Sequence, residues 1–546
     1  MDAHRPPSVI AERLSTLSVA EKIGQLFVVP LGRHSPNALR LPPDQRTGSV
    51  HADGLGQVVD QLRQYHVGGV CYFPTTPEGD DAGDVAGLLR ELASAGTGLA
   101  PIVAVDQEGG TVARLRRGVT SVPSAMALAA TGSTDATARA AAIVGAELRA
   151  VGFHQDYAPD ADVNSNPANP VIGVRSYGSD PELVAAHVAA AVRGLQGAGL
   201  AATAKHFPGH GDTSGDSHLM LPSVERDAES WAATDLPPFA AAIEAGVAGV
   251  MSAHVAVPAV DASGDPATAS AAILTGVLRD RLGFTGAVVT DALDMAGARE
   301  ALGDGEIAVR AVLAGADQLL MPADLPVAVA AVTEAVRTGR IPQARLDAAV
   351  TRVLALKHRV GLLDPEPTAP PPVDAAAHAA AAAELARASL TVLGDQGWRL
   401  PPGRVALVGA LGGIEADLLP ALRAAGAEVS VVDSGSDPSG VATDLAAAAA
   451  AEVTIVVSRN AIRWSGQRAL LDGLATAGHR HVQLALGVPY DAGLAPAASA
   501  RVLTYGDCAV SRAALLDVLR GKAIAGGRLP VDVPAADGSV AWPRGW

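Results

Sequence analysis

The chain is 546 residues long, 49% hydrophobic and 18% charged, which excludes a disordered or fibrous protein and exceeds the size at which one core stops growing. Two domains are therefore expected. Its formal charge of −16 argues against nucleic acid or an anionic membrane as partner, because both are held by clustered Lys and Arg, and leaves a small neutral ligand as the better fit.

The N-terminus, MDAHRPPSVIAERLSTLSVAEKIGQ, carries no apolar segment behind a basic start and so no visible signal peptide. No run long and apolar enough to span a bilayer follows, and the expected address is cytoplasmic. Cys71 and Cys508 stand far apart without metal-ligand or disulfide spacing, and both are expected to be buried thiols.

Short β-branched runs then alternate with longer Ala/Leu/Glu/Arg-rich segments of helical spacing, the pattern of parallel βα units. Strands are expected at Ile23–Val29, Val67–Phe73, Ile102–Val105, Phe153–Ala158, Leu200–Ala204, Val247–Ser252, Ala287–Thr290 and Gln318–Met321. Helices are expected at Pro181–Gln196, Leu236–Ala245, Ser270–Leu282, Leu325–Arg337 and Leu346–Val360. This is a (β/α)8 barrel over residues 1–363, with a doubly wound open sheet as the alternative. In a barrel, reactive side chains gather at the C-terminal ends of many strands; in an open sheet they gather at one switch point. Asp106 and Glu108, Asp160 and Asp162, Lys205 and His206, His254, and Asp291 terminate five different runs, which favours the barrel.

The proline-dense segment 364–374 is expected to be a semi-rigid linker. Beyond it, RVALVGAL, EVSVVDS, VTIVVSR, VQLALGVP and RVLTYGD predict a smaller α/β domain over 375–546, with a mainly parallel sheet of about five strands. Gly409–Gly413 lacks the full dinucleotide-binding spacing and reads as a strand-to-helix turn.

The richest stretch is KHFPGHGDTSGDSHLMLP, 205–222. Lys205 and His206 end the fifth strand, and Pro208, Gly209 and Gly211 divert the chain into a loop. Asp216 and His218 stand two apart at its far end, where an Asp can accept the imidazole Nδ1–H, fix its tautomer and yield a proton donor and acceptor. Asp291, in VVTDALDM, ends a strand as a free carboxylate able to attack carbon, or else caps a helix. Asp106 in VDQEGG is as compatible with a capped turn as with a functional role, and Arg175 in GVRSYGSDP with bracing a loop or pairing with a surface acid. A metal site is the rival reading, because His206, His210, Asp212, Asp216 and His218 are all ligand types. Metal-dependent amidohydrolases on this fold carry a His-x-His pair at the first strand, and residues 23–30 have none, so no metal or other cofactor is expected.

These motifs resemble glycoside hydrolase family 3, in its bacterial β-N-acetylglucosaminidase branch. AEKIGQLF (20–27), VDQEGG (105–110), NPVIGVRSYGSDPELVA (169–185), KHFPGHGDTSGDSH (205–218), MSAHV (251–255) and TDALDM (290–295) occur in family order, and GGRLPVDVP (526–534) resembles the end of the family's second domain. The resemblance implies Asp291 as nucleophile and His218, supported by Asp216, as general acid/base. It implies that Asp106, Arg114, Arg175, Lys205 and His206 hold the hydroxyls and N-acetyl group of a terminal GlcNAc. The related β-glucosidase branch has an aromatic residue after the nucleophile, where this chain has Ala292. Two departures stand out: Thr111 replaces an Arg common after Gly-Gly, and Asp160 sits where an apolar residue is usual. The expected partner is a GlcNAc-containing carbohydrate, cleaved with retention. Phosphate in place of water as acceptor is the alternative, because a neutral imidazole repels a phosphate dianion less than a carboxylate does. A non-catalytic sugar-binding protein is the reading from another class.

Overall fold

The computed structural model describes residues 8–32, 54–75, 79–95, 98–299, 302–364 and 370–546. Eight strands, β1 Phe27–Leu31, β2 Gly69–Tyr72, β3 Ile102–Val105, β4 Gln155–Asp156, β5 Ala201–Phe207, β6 Gly249–Ser252, β7 Ala287–Thr290 and β8 Leu319–Leu320, form one parallel sheet in the order β8-β1-β2-β3-β4-β5-β6-β7. A bridge between Val289 and Gln318, with the Thr290 amide donating to the Gln318 carbonyl at 3.0 Å, brings β7 against β8 and closes the ring. The fold is the expected (β/α)8 barrel.

All eight runs are strands, and the largest difference from expectation lies at the first. Ile23 belongs to a helix, Val19–Gly24, and β1 starts only at Phe27. The cause is local: the Glu21 amide donates to the Ser18 hydroxyl at 3.3 Å while the Ser18 amide donates to the Glu21 carboxylate at 2.8 Å, a reciprocal cap that commits the next turn to helix. The helix expected at Leu236–Ala245 runs over Ala228–Glu244. Asp227 accepts the Ser230 amide at 2.8 Å and starts it, and it continues through Pro237 and Pro238.

The N-terminal ends of the strands are sealed. Val353 and Leu356 of the helix Gln343–Arg359 pack on Ile102, Ala201, Ala248 and Ala287, the residues that begin or precede four of the strands. This leaves the opposite end of the barrel open for chemistry.

The second sheet comprises β9 Thr391–Gly394, β10 Gly403–Gly409, β11 Ala427–Asp433, β12 Val453–Ser458, β13 His481–Ala485 and β14 Ala500–Leu503, ordered β9-β14-β13-β12-β10-β11. Five of these are the expected parallel strands; β9 is added antiparallel to β14. The sheet has separate apolar clusters, one around Leu407, Leu418 and Leu484 and the other around Val408, Leu470 and Leu474. A third cluster joins the two domains: Met126, Ala127 and Val174 of the barrel pack with Leu393, Val488, Tyr490 and Leu503. Of the expected linker, residues 365–369 lie outside the described residues. Cys71 is buried as expected, whereas Cys508 is half-buried at the start of the helix Ala509–Leu519. Among the described residues no helix is long and apolar enough to cross a membrane.

Candidate active site

The open end of the barrel holds a cavity of about 290 Å³, lined among others by Phe73, Asp106, Glu108, Thr111, Arg114, Arg175, Lys205, His206, His218, Asp291 and Ala292. Of the eight residues to which the resemblance assigns a role, seven line it directly. The eighth, Asp216, accepts the His218 Nδ1–H at 2.6 Å and the His218 amide at 3.0 Å. That bond fixes the tautomer, so Nε2 is the imidazole atom left to exchange a proton.

Asp291 follows β7, with its amide donating to the Ser252 carbonyl at 3.0 Å. Burial pushes its carboxyl up, but the imidazoles of His206, His254 and His218 and the Ala292 amide, 2.7 Å from Oδ1, together hold it below the usual carboxylate value. It is ionised at neutral pH. His254, which the sequence placed at a strand end without a role, explains the fixed geometry there. Its Nε2–H donates to the Ala292 carbonyl at 3.0 Å and its Nδ1 accepts from Thr268 at 2.9 Å, which anchors the backbone just beyond the nucleophile candidate.

The floor is an ionic lattice. Lys205 Nζ lies 2.8 Å from Asp106 and 2.6 Å from Glu108, and Arg175 grips Glu108 through Nε at 2.9 Å and Nη2 at 2.8 Å. Burial opposes every charge here, and mutual pairing overrides it: Asp106 and Glu108 are held below, Lys205 and Arg175 above, their ordinary values. Glu108 thus joins the two cations, a role that residue type in VDQEGG hinted at but did not assign. Arg114 reaches Asp106 at 3.4 Å and lies over the Phe73 ring at 5.4 Å.

A second buried carboxylate sets the imidazole of His206. Asp162 accepts its Nδ1–H at 2.8 Å and the His210 amide at 2.6 Å, while Arg175 Nη2 approaches His206 Nε2 at 3.3 Å. Asp160, Asp162 and His206 place donor atoms within 4.8 Å of one another, the one such metal-type group among the described residues. Its donors serve this orienting network, Asp162 bonded to the His206 Nδ1–H and Asp160 facing Arg175. Asp160, the unusual residue, has Oδ2 3.7 Å from Arg175 Nε and otherwise unpaired. Burial and Asp162 push its carboxyl well above the ordinary range.

The irregular backbone of the 205–222 loop is what lets these groups converge. Gly209 has φ +117°, and a Cβ there meets Asp235 Oδ1 at 2.6 Å; a Cβ on Gly211 lies 1.9 Å from the Val163 carbonyl oxygen. No side chain fits at either position. The loop is pinned further on by His210, whose Nδ1 pairs with Thr213 at 2.7 Å and Nε2 with Ser217 at 3.0 Å, one residue before His218. Desolvation pushes the His210 imidazole down to about 4, so it acts as a neutral strut.

Residues 18–356 match the model of the Glycosyl hydrolase family 3 N terminal domain. The chain belongs to that family. The solved family 3 β-N-acetylglucosaminidase from Paenibacillus sp. str. FPU-7 is 32% identical with a TM-score of 0.82, over 96% of this chain and 100% of that one. A curated β-N-acetylglucosaminidase/β-glucosidase from Cellulomonas fimi is 40% identical over 297 residues, 52% of each chain. The solved β-glucoside phosphorylase BglX is 25% identical with a TM-score of 0.79, covering 96% of this chain and 96% of that one. The chain thus spans about half the length of the Cellulomonas relative.

Proposed function

We propose that this family 3 chain is a retaining exo-β-N-acetylglucosaminidase that removes a terminal β-linked GlcNAc. The observation that carries the reading is the shared cavity: an ionised Asp291 and the free Nε2 of the His218–Asp216 pair open into it. Its volume of about 290 Å³ sits at the small end of ligand sites, about 300–1,000 Å³, and suits one pyranose. The names of the Paenibacillus and Cellulomonas relatives support the N-acetyl preference.

The reaction runs in two steps. His218 Nε2–H protonates the glycosidic oxygen as Asp291 attacks the anomeric carbon, forming a covalent glycosyl ester and releasing the aglycone. His218, now neutral, takes a proton from the acceptor, whose oxygen attacks the same carbon and restores Asp291; two inversions retain the β configuration. Asp216 keeps the imidazole oriented by accepting its Nδ1–H. Asp106, Lys205, Arg175 and His206 offer fixed charges and donors to the ring hydroxyls, already oriented by one another before substrate arrives.

A chromogenic β-N-acetylglucosaminide tests this. Turnover is expected in the wild type and a loss of at least ~10³-fold in Asp291→Ala, with the melting transition retained. Binding of GlcNAc without turnover by the wild type overturns the enzyme reading. The likeness to the phosphorylase BglX favours one second reading, in which phosphate replaces water as acceptor. A sugar 1-phosphate whose rate of appearance rises with phosphate concentration selects it; free GlcNAc insensitive to phosphate rejects it.

A further inference from the structure

Arg175 is held from the cavity side by Glu108, but its backbone is held from the other domain. It ends a short turn, Gly173–Arg175, in the loop after β4. Asn164 closes that loop: its amide donates to the Gly178 carbonyl at 2.9 Å and its side-chain oxygen accepts the Gly173 amide at 3.1 Å. The remaining group of Asn164, Nδ2, donates to the hydroxyl of Tyr490 at 2.8 Å. Tyr490 belongs to the second domain, in the turn after β13, and both side chains are 1% exposed.

Two further contacts come from the same surface of that domain. Arg463 Nη1 donates to the Pro170 carbonyl at 2.9 Å, and Pro170 and Val171 line the cavity next to Arg175. Val488 lies so close to Gly173, φ +49°, that a Cβ there meets its Cγ1 at 3.1 Å. Arg175 in turn returns a bond from Nη1 to the Val171 carbonyl at 3.4 Å. A buried amide that loses its partner costs more than the bond itself is worth, so the Tyr490 hydroxyl constrains Asn164, Asn164 constrains Gly173, and Gly173 sets where the guanidinium enters the cavity.

We propose that Tyr490 is a positioning residue for the sugar site: the second domain touches no substrate through it, but fixes the loop that presents Arg175. This rests on the reading of the cavity as a GlcNAc site. Arg175 meets the ring before and during the chemistry, so loosening it weakens ground state and transition state alike and appears in KM.

The test compares Tyr490→Phe with Tyr505→Phe in the full chain. Tyr505 is an equally buried second-domain tyrosine whose hydroxyl pairs with Thr391 at 2.7 Å, away from the loop. Tyr490→Phe is expected to raise KM for the chromogenic N-acetylglucosaminide about tenfold, with kcat within about twofold; Tyr505→Phe leaves KM unmoved. An unchanged KM in Tyr490→Phe, or equal shifts in the two variants, overturns the proposal. Amide hydrogen exchange gives a readout independent of substrate. Residues 169–176 should exchange faster in Tyr490→Phe alone. Unaltered exchange there sinks the proposal even if the enzyme hydrolyses the glycoside, and faster exchange upholds the bracing even if the substrate assignment fails.

Discussion

Two lysines, one at each end of the barrel, are buried to the same degree and behave in opposite ways. Lys205, 2% exposed, lies between Asp106 and Glu108 at the open mouth and is held above its ordinary value. Lys357, 0% exposed, lies in the helix that seals the other end, with Nζ donating to the Gln25 side-chain oxygen at 2.6 Å, and burial pushes it down to about 7. Desolvation disfavours the ammonium in both places, so the sign is set by what faces it. The open mouth stores fixed charge ready for a ligand. The sealed end spends its helix on apolar closure and tolerates a lysine only by weakening its charge. The same asymmetry separates function from stability along the axis of such barrels.

Removing the cation at the mouth should break this comparison most severely. Lys205→Met leaves Asp106 and Glu108 facing each other with only Arg114 and Arg175 for balance, and stripping one partner from a buried charge pair costs about 3–5 kcal/mol. Chemical denaturation should therefore show a large loss of stability, and turnover should fall with it. Lys357→Met should keep wild-type turnover, since neither Lys357 nor its partner Gln25 lines the cavity. Equal losses of turnover in both variants would show that the two ends are not functionally distinct.

Glu108→Gln asks a narrower question of the same lattice. The shape is kept and the charge removed, and the new amide NH2 faces the donors of Arg175 and Lys205. Hydrogen bonds to charged groups are worth about 1.5–3 kcal/mol, so kcat/KM should fall by roughly ten- to a hundredfold, with a smaller change in denaturation midpoint than in Lys205→Met. Unchanged kinetics would mean that Asp106 alone suffices to hold Lys205 in place.

The lattice also marks how far the sequence could be read. Strand-ending polar residues located the mouth, because a parallel barrel delivers every strand's C-terminal end to one face, and the density of 205–222 pointed to the loop that carries His218 into the cavity. The sequence singled out Asp291, His218 and Asp216, and the fold brings Asp291 and His218 to one cavity with Asp216 bonded to the imidazole. Glu108 and Asp162 were visible as strand-end acids, yet their roles depend on Arg175 and His206, which join them only across the folded barrel. Tyr490 carried no signal at all, since a tyrosine in VPYDAGL reads as core until the domain is docked on the loop. The capping box at Ser18 was present in the sequence and outcompeted the β-branched reading of Ile23.

The smallest effect is a pH dependence, and it discriminates the two ends without touching activity. Lys357 titrates at about 7 in the fold against an ordinary 10.5, so between those values the unfolded chain binds more protons than the folded one, and stability rises with pH. The penalty is fully present below about 7 and relieved as pH approaches 10.5. Lys205 has its value raised instead, so its pairing with Asp106 and Glu108 contributes fully below the ordinary lysine value and is lost only as pH rises through the elevated one. Denaturation midpoints of the wild type and Lys357→Met, measured at pH 7, 8 and 9, should accordingly converge: the wild type gains stability over this range relative to a variant that has no ammonium to discharge. A gap that stays constant across the series would mean that Lys357 keeps its proton in the fold, and that the sealed end of the barrel accommodates a charge as readily as the mouth does.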